Sequence, residues 1–204
     1  MLHTKYHSFD FDGYISKEQL LEEASNYSAA NATAYQGYSN FYLKILLKEA
    51  LSTGGKFENF IDIGSGKGKV CIYAAKYFKF MKIVGIEFSL PLVEIANRNL
   101  ANTNYKNIEF IKVDATEWRI PNGNTIVFLF NPFNELILQS FMSSNVEHFK
   151  KNDSIIIYAN AIHGNIIEEF GFYKVIESGA YSSAIFKLKP IPLHTSHPSL
   201  NCRA

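Results

Sequence analysis

Short runs of β-branched and aromatic residues alternate with segments of helical spacing from about residue 57 onward. This alternation is typical of βα units, which build a mostly parallel sheet with helices on both faces. We expect strands at residues 57–63, 82–87, 108–113, 125–130, 154–159, 172–177 and 182–187. The loop between the last two strands is too short for a parallel crossover, so these strands should form an antiparallel hairpin. The pattern therefore predicts an α/β fold.

The segment before the sheet carries signals for two helices. Ser16-Lys17-Glu18-Gln19 has the form of a capping box and predicts a helix that ends near Ala30. A second helix is expected over residues 41–51, because Gly54-Gly55 stops it. We therefore divide the chain into an N-terminal helical extension or lid at residues 1–56, a main domain at residues 57–189 and an irregular tail at residues 190–204.

The composition narrows the possible functions. With 47% hydrophobic and 19% charged residues, the 204-residue chain should form one globular core. Its formal net charge of +1 argues against a broad nucleic-acid-binding surface, and only a local basic patch stays open. No secretion signal or membrane-spanning run is visible, so we expect a cytoplasmic protein without a membrane partner.

Neither cysteines nor histidines indicate a metal site. Cys71 and Cys202 lie too far apart for a disulfide framework, and the histidines show no metal-ligand spacing. Four lysines in and after the glycine-rich segment are expected to form a solvated face, and recruitment of an acidic or nucleic-acid partner is the alternative. They are Lys67, Lys69, Lys76 and Lys79.

A glycine-rich turn joins the first expected strand to the next helix. Gly64, Gly66 and Gly68 stand at alternate positions, where glycine permits positive φ and close approach of a ligand. The phosphate-binding P-loop motif fails here, and Lys69 stands where the dinucleotide fingerprint requires glycine. Asp62 ends the strand, and an acid suits a cationic ligand better than a pyrophosphate.

The pattern from Asp62 through Gly64, Ser65 and Gly66 to Gly68 resembles motif I of the class I S-adenosylmethionine (SAM)-dependent methyltransferases. The resemblance implies SAM as the cofactor and a Rossmann-like seven-stranded sheet in the order 3-2-1-4-5-7-6, with the last strand antiparallel. It also implies that this loop and Asp62 hold the methionyl part of SAM.

Two further acids stand at the ends of expected strands. Glu87 ends the second strand, near the offset at which an acid binds ribose hydroxyls in nucleotide-binding βαβ units. Asp114 ends the third strand, before Ala115. The resemblance implies that Asp114 accepts from the adenine amine and that the next amide donates to the ring. Open α/β sheets bind ligands at this edge, so the three acids together favour a nucleotide-like cofactor.

Asn131-Pro132-Phe133 follows the fourth expected strand. The side-chain oxygen of Asn131 can accept a hydrogen bond from an amine, and Phe133 can form an apolar or cation–π wall. This segment looks like motif IV of amino-group methyltransferases, (Asp/Asn/Ser)-Pro-Pro-(Tyr/Phe), with one proline fewer. The resemblance makes Asn131, Pro132 and Phe133 the candidate catalytic residues and gives Asn131 a contact with the cofactor.

A weaker resemblance is to the Dot1-like protein lysine methyltransferases, carried by the segments around Asp62, Glu87 and Asn131. That family places an aromatic helical segment over the cofactor, which implies a lid containing Tyr35 and, preferably, Tyr38. The expected reaction is methyl transfer to an amine nitrogen, of a protein lysine or another acceptor. An O- or small-molecule methyltransferase and a non-catalytic binding module are the alternatives.

Overall fold

The computed structural model describes residues 9–16, 18–19 and 34–190. Within them, two short strands, β1 (Tyr14–Ile15) and β2 (Tyr35–Gln36), precede the main domain. The helices are α1 (Asn40–Ser52), α2 (Lys69–Tyr77), α3 (Leu90–Ala101), α4 (Glu135–Lys151) and α5 (Gly164–Glu169). The remaining strands are β3 (Asn59–Ile63), β4 (Lys82–Glu87), β5 (Ile108–Lys112), β6 (Thr125–Phe130), β7 (Ile155–Ala159), β8 (Phe172–Ser178) and β9 (Ser183–Leu188).

Seven of these strands form one sheet in the order β5-β4-β3-β6-β7-β9-β8. Strands β3 to β7 run parallel, whereas β9 lies antiparallel to both β7 and β8. This order confirms the α/β fold and the strand order 3-2-1-4-5-7-6 that the resemblance implied. The central strands β3, β6 and β7 are buried on both faces, which explains their continuous apolar sequences.

Helices α3 and α4 begin where the sequence supplies a side-chain cap. Ser89 precedes α3 and accepts a hydrogen bond from the Leu92 amide, and Pro91 occupies the first turn. Asn134 caps α4 in the same way through the Ile137 amide. Helices α1 and α2 contribute to the apolar cluster on one face of the sheet, and α4 contributes to the cluster on the other.

The N-terminal region is only partly described. Ser16 and Gln19 form the expected reciprocal capping bonds, at 2.9 and 3.3 Å, but the rest of the helix expected to end near Ala30 lies outside the described residues. The irregular tail expected from residue 190 also lies outside them, except for its first residue. Strand β1 pairs antiparallel with β2. We call residues 9–16 and 34–38 together the N-terminal strap.

No helix in the described part of the chain is long and apolar enough to cross a membrane.

Candidate functional site

A cavity of about 260 Å³ opens where β3, β4 and β6 end, beneath the N-terminal strap. This is the edge at which parallel α/β sheets bind ligands. The cavity brings together most of the residues selected from the sequence. Its lining includes Tyr38, Asp62, Gly64, Ser65, Glu87 and Ala115, together with the acceptor segment Asn131-Pro132-Phe133.

Two glycines of the turn after β3 are required because neighbouring side chains leave no room for a Cβ atom. Gly64 has φ of 76°, and a Cβ there would lie 2.6 Å from Cβ of Pro132. Gly66 has φ of 52°, and a Cβ there would lie 2.3 Å from the Tyr35 ring. Real carbon contacts are close to 3.5–4.0 Å. Pro132 and Tyr35 therefore pack directly on the bare backbone of this turn.

Two buried carboxylates line the cavity. Glu87 is 5% exposed and accepts hydrogen bonds from the amides of Gly66 at 2.9 Å and Ser89 at 3.1 Å. Asp62 is 3% exposed, and the Cys71 thiol lies 3.9 Å from its Oδ2. Burial, with the nearby Glu87 charge, raises the pKa of Asp62 to about 8, and burial also raises the pKa of Glu87.

None of the ion pairs within the described ranges includes Asp62 or Glu87. Two buried carboxylates that face a cavity without an ion-pair partner favour a cationic ligand, because the ligand's charge replaces the missing one. SAM carries an ammonium and a sulfonium and has ribose hydroxyls that a carboxylate can accept from. The residues present therefore fit SAM.

The N-terminal strap is fastened to the glycine-rich turn by Lys67. Its ammonium donates to Asp10 Oδ1 and to the Asp12 carbonyl oxygen, both at 2.6 Å, and the Lys67 residue is only 7% exposed. The expectation of a solvated lysine face was therefore wrong for Lys67. The sequence could not show its partner, because Asp10 lies far upstream and no periodic pattern links the two.

Asn99 of α3 strengthens the same connection. Its Oδ1 accepts from the Asp10 amide at 2.9 Å, while its Nδ2 donates to the carbonyl oxygens of Asp10 at 2.9 Å and Lys67 at 3.0 Å. The hydroxyl of Tyr35 donates to the Phe11 carbonyl at 3.0 Å, which joins the two parts of the strap. The strap therefore covers the glycine-rich turn through polar bonds as well as ring packing.

Both aromatic lid candidates lie at the cavity. The Tyr35 ring lies over Gly66, and Tyr38 is 4% exposed, with its ring centroid 4.6 Å from that of Phe130. Tyr38 therefore packs against Phe130, which directly precedes Asn131, whereas Tyr35 covers the turn. The preferred role of Tyr38 near the methionyl part of SAM stays a prediction.

The acceptor segment leaves the sheet through a backbone turn. Asn131 has φ of 43°, and its Oδ1 accepts from the Tyr158 hydroxyl at 3.4 Å. Asn160 follows the neighbouring strand β7, has φ of 52° and also lines the cavity. Because Phe130 pairs with Ala159, the two asparagines leave adjacent strands side by side. Asn160 was missed, since nothing in its local sequence distinguishes it from an ordinary turn residue.

Three cofactor candidates lie outside the cavity lining. Gly66 donates its amide to Glu87, and Gly68 begins α2 with its backbone against the Phe110 ring. The Asp114 carboxylate accepts from the amide and hydroxyl of Thr116, at 2.9 and 2.7 Å, while Ala115 lines the cavity. The assignment of Asp114 and Ala115 to the adenine ring stays a prediction.

A family model described as a methyltransferase domain matches residues 54–178, more than half of the chain. The chain belongs to this methyltransferase family. The match confirms the methyltransferase domain that the sequence predicted, with SAM as its cofactor. The finer resemblance to the Dot1-like enzymes stays a prediction.

Two relatives of this methyltransferase act on transfer RNA by name. The chain is 33% identical over 58 residues to a tRNA (guanine-N(7)-)-methyltransferase of Pediococcus pentosaceus, and the matched region covers 28% of this chain and 27% of that protein. The chain is 29% identical over 120 residues to a tRNA (uracil(54)-C(5))-methyltransferase of Pyrococcus furiosus, and the matched region covers 58% of this chain and 28% of that protein. The chain thus aligns with about a quarter of each relative.

Solved structures share the fold of this methyltransferase. An S-adenosylmethionine-dependent methyltransferase from Clostridium acetobutylicum superposes with a TM-score of 0.61 at 9% identity, covering 75% of this chain and 93% of that one. At this identity the likeness describes the fold alone.

Proposed function

We propose that this methyltransferase transfers a methyl group from SAM to a nitrogen atom of a nucleobase in RNA. The observation that supports the proposal is the placement of Asn131 at the acceptor end of the cavity, beside the turn that fits SAM. An amide oxygen there accepts a hydrogen bond from an amine N–H and directs the nitrogen lone pair toward the methyl group.

The Tyr158 hydroxyl positions the Asn131 amide. It donates to Oδ1 at 3.4 Å, and the Tyr158 residue itself is 1% exposed. A carbonyl oxygen has two lone pairs, so an amide oxygen that accepts from a hydroxyl can also accept from an amine N–H. Pro132, packed on Gly64, fixes the backbone that follows Asn131, and Phe133 adds an apolar wall.

The charges around Asn131 favour a neutral acceptor. Among the described residues that line the cavity, Asp62 and Glu87 are the only acids, and we assign both to the cofactor. A lysine ammonium has a pKa near 10.4 and needs a base before it can attack. A nucleobase amine is already neutral. The expected protein-lysine acceptor therefore becomes the alternative.

The names of the two sequence relatives support RNA as the acceptor class. The formal net charge of +1 argued against a nucleic-acid partner, but a net charge is the sum over the whole chain and does not describe the charge around the site.

When bound, SAM supplies a methyl group on a sulfonium, and its sulfur keeps the electron pair of the broken carbon–sulfur bond. The acceptor nitrogen contributes the pair that forms the new nitrogen–carbon bond and loses one proton to water. Asn131 orients this nitrogen, while Asp62 and Glu87 hold the cofactor end and take no part in proton transfer.

The test is transfer of a tritiated methyl group from SAM to total cellular RNA and protein. We expect label that ribonuclease releases and protease does not, in a methylated nucleoside whose methyl group is on nitrogen. Asn131→Ala should lower the rate about 100-fold, the size of effect expected when a reacting group is misplaced by about 1 Å. Its affinity for SAM should change little.

Asn122→Ala is the matched control, because Asn122 is exposed in the loop that precedes β6, at the opposite end of that strand. It should leave the rate unchanged. Label that protease releases would contradict the nucleobase proposal and favour the protein amine. A full rate in Asn131→Ala would instead remove Asn131 from the reaction and favour the O-methyltransferase alternative.

A further inference from the structure

A groove of about 530 Å³ lies on the outer surface of α2, beside the N-terminal strap. Aromatic rings and lysines form most of its wall. The residues that define this aromatic–lysine groove are Phe9, Phe11, Lys69, Tyr73, Lys76 and Tyr77. We propose that the groove holds a single-stranded segment of the RNA acceptor, outside the cavity in which methyl transfer takes place. The inference rests on the proposed function, because it names where the same acceptor docks.

The rings of the groove are arranged for stacking. Phe9 and Phe11 stack on each other with centroids 4.9 Å apart and planes 7° apart, whereas the Tyr73 and Tyr77 rings lie 4.5 Å apart and are tilted by 39°. Phe9 is 42% exposed and Tyr77 is 50% exposed. Proteins that bind single strands use such exposed ring faces, because every base has a face that can stack on them.

The charge of the groove suits phosphates. Lys69 and Lys76 line the groove, and no carboxylate lines it in the described part of the chain. The Lys76 ammonium lies over the Tyr77 ring, 5.2 Å from its centroid, so the groove combines a cation with an exposed aromatic ring. A nucleotide needs both features, whereas an acidic peptide needs only the cation.

Short polar side chains complete the groove. Asn40, Asn102 and Asn104 line it and have side-chain amides that can donate to and accept from base edges, whereas the Thr103 hydroxyl already donates to the Leu100 carbonyl and accepts from the Tyr105 amide. An apolar protein segment would offer the three side-chain amides no hydrogen-bond partner, which is unfavourable. The mixture of rings, cations and amides therefore favours a nucleic-acid strand over either kind of peptide.

The groove adjoins the cavity that fits SAM. Lys69 lines both, and its ammonium lies close to Gly37 of the strap. A strand that stacks on Tyr77 and passes Lys69 therefore leads toward the cavity. This continuity connects the groove with the acceptor rather than with an unrelated partner.

The test measures binding of a fluorescein-labelled oligouridine of about twelve nucleotides, within the length that one single-strand-binding fold covers. Fluorescence anisotropy is followed without SAM, so that catalysis is not needed. Tyr77→Ala should weaken binding about 5- to 100-fold, and Tyr77→Phe should restore it because the ring face returns. Lys76→Gln should lower the salt dependence, with a slope of log K against log salt smaller by about 0.7.

The controls lie elsewhere on the protein. Tyr173→Ala removes a ring that is 38% exposed on the edge strand β8, and Lys150→Gln removes a lysine from α4, which packs on the other face of the sheet. Both should bind as the unmodified protein does. Because Tyr77 is half exposed and Lys76 is exposed, we expect these variants to fold, and circular dichroism checks this.

Equal weakening by groove and control variants would overturn the inference, as would undiminished binding by Tyr77→Ala. Binding of poly-glutamate that depends on Lys76, with none of oligouridine, would also overturn it and indicate an acidic protein partner. If RNA is methylated but the groove variants bind normally, the docking inference fails alone. If groove-dependent binding is seen but no RNA is methylated, the proposed function fails alone.

Discussion

The Gly66→Ala substitution tests whether the N-terminal strap seals the glycine-rich turn. The new Cβ would lie 2.3 Å from Cε2 and 2.5 Å from Cδ2 of Tyr35, so the ring must move by more than 1 Å to reach ordinary contact. The Tyr35 hydroxyl is bonded to the Phe11 carbonyl, so the ring cannot move without displacing the strap. We therefore expect loss of both stability and cofactor affinity.

Gly54→Ala supplies the matched control. Gly54 also has positive φ, of 83°, but a Cβ there would meet no atom within 4 Å. Both variants lose about 1 kcal/mol because alanine disfavours the left-handed region. Gly66→Ala loses roughly 1–3 kcal/mol more through overpacking. With a shift of about 2–4 °C per kcal/mol, Gly54→Ala should melt about 2–4 °C lower and Gly66→Ala about 4–16 °C lower.

Calorimetry with SAM completes this test. Gly54→Ala should bind SAM normally, whereas the SAM affinity of Gly66→Ala should be at least about tenfold lower. A tenfold loss of affinity corresponds to about 1.4 kcal/mol of binding free energy. Adding Tyr35→Ala to Gly66→Ala removes the obstructing ring, so the two substitutions should be coupled by about 1 kcal/mol or more. Equal melting temperatures and equal SAM affinities for the two glycine variants would refute the role given to the strap.

Three further substitutions follow from the site. Because burial raises the pKa of Asp62 to about 8, the SAM-free protein is most stable when this carboxyl is protonated, and its free energy of unfolding should fall as the pH rises from about 4 to about 8. Urea unfolding at a series of pH values measures this dependence, and Asp62→Asn should flatten it between these two pH values. A pH dependence that Asp62→Asn leaves unchanged would contradict the burial effect. Lys67→Met removes the ammonium that holds Asp10 and Asp12, so SAM should dissociate several-fold faster in stopped-flow displacement, whereas Lys174→Met on β8 should not change the rate. Tyr158→Phe should lower the methyl-transfer rate about tenfold, equivalent to about 1.4 kcal/mol for the lost hydrogen bond, with SAM affinity retained; weaker SAM binding at a normal rate would contradict a positioning role.

The sheet could be predicted closely because its signals are local. All seven expected strands exist, and the largest boundary difference is at β3, which begins at Asn59 rather than Phe57. Buried parallel strands give continuous β-branched and aromatic runs, and the turns between them carry glycine or caps. The glycine-rich turn, Glu87 and Asn131 were located for the same reason, since each follows a strand whose end the pattern shows.

The strap could not be predicted, because its contacts are distant in sequence. Strands β1 and β2 have two residues each and are too short to give a periodic signal. The ammonium of Lys67 donates to Asp10 and Asp12, which lie more than 50 positions earlier in the sequence. Asn160 enters the cavity only because β6 and β7 end side by side. Such contacts depend on tertiary packing, and no pattern in the local sequence predicts them.

Calorimetric titration of the unmodified protein with SAM tests the central claim most directly, with NAD as the negative control. The two buried carboxylates lack an ion-pair partner within the described chain, so SAM should bind with one-to-one stoichiometry and NAD should not bind. Asp62→Ala and Glu87→Ala should each abolish this binding while the circular dichroism spectrum is retained. Absence of SAM binding by the unmodified protein, or an affinity in both variants equal to that of the unmodified protein, would contradict the account.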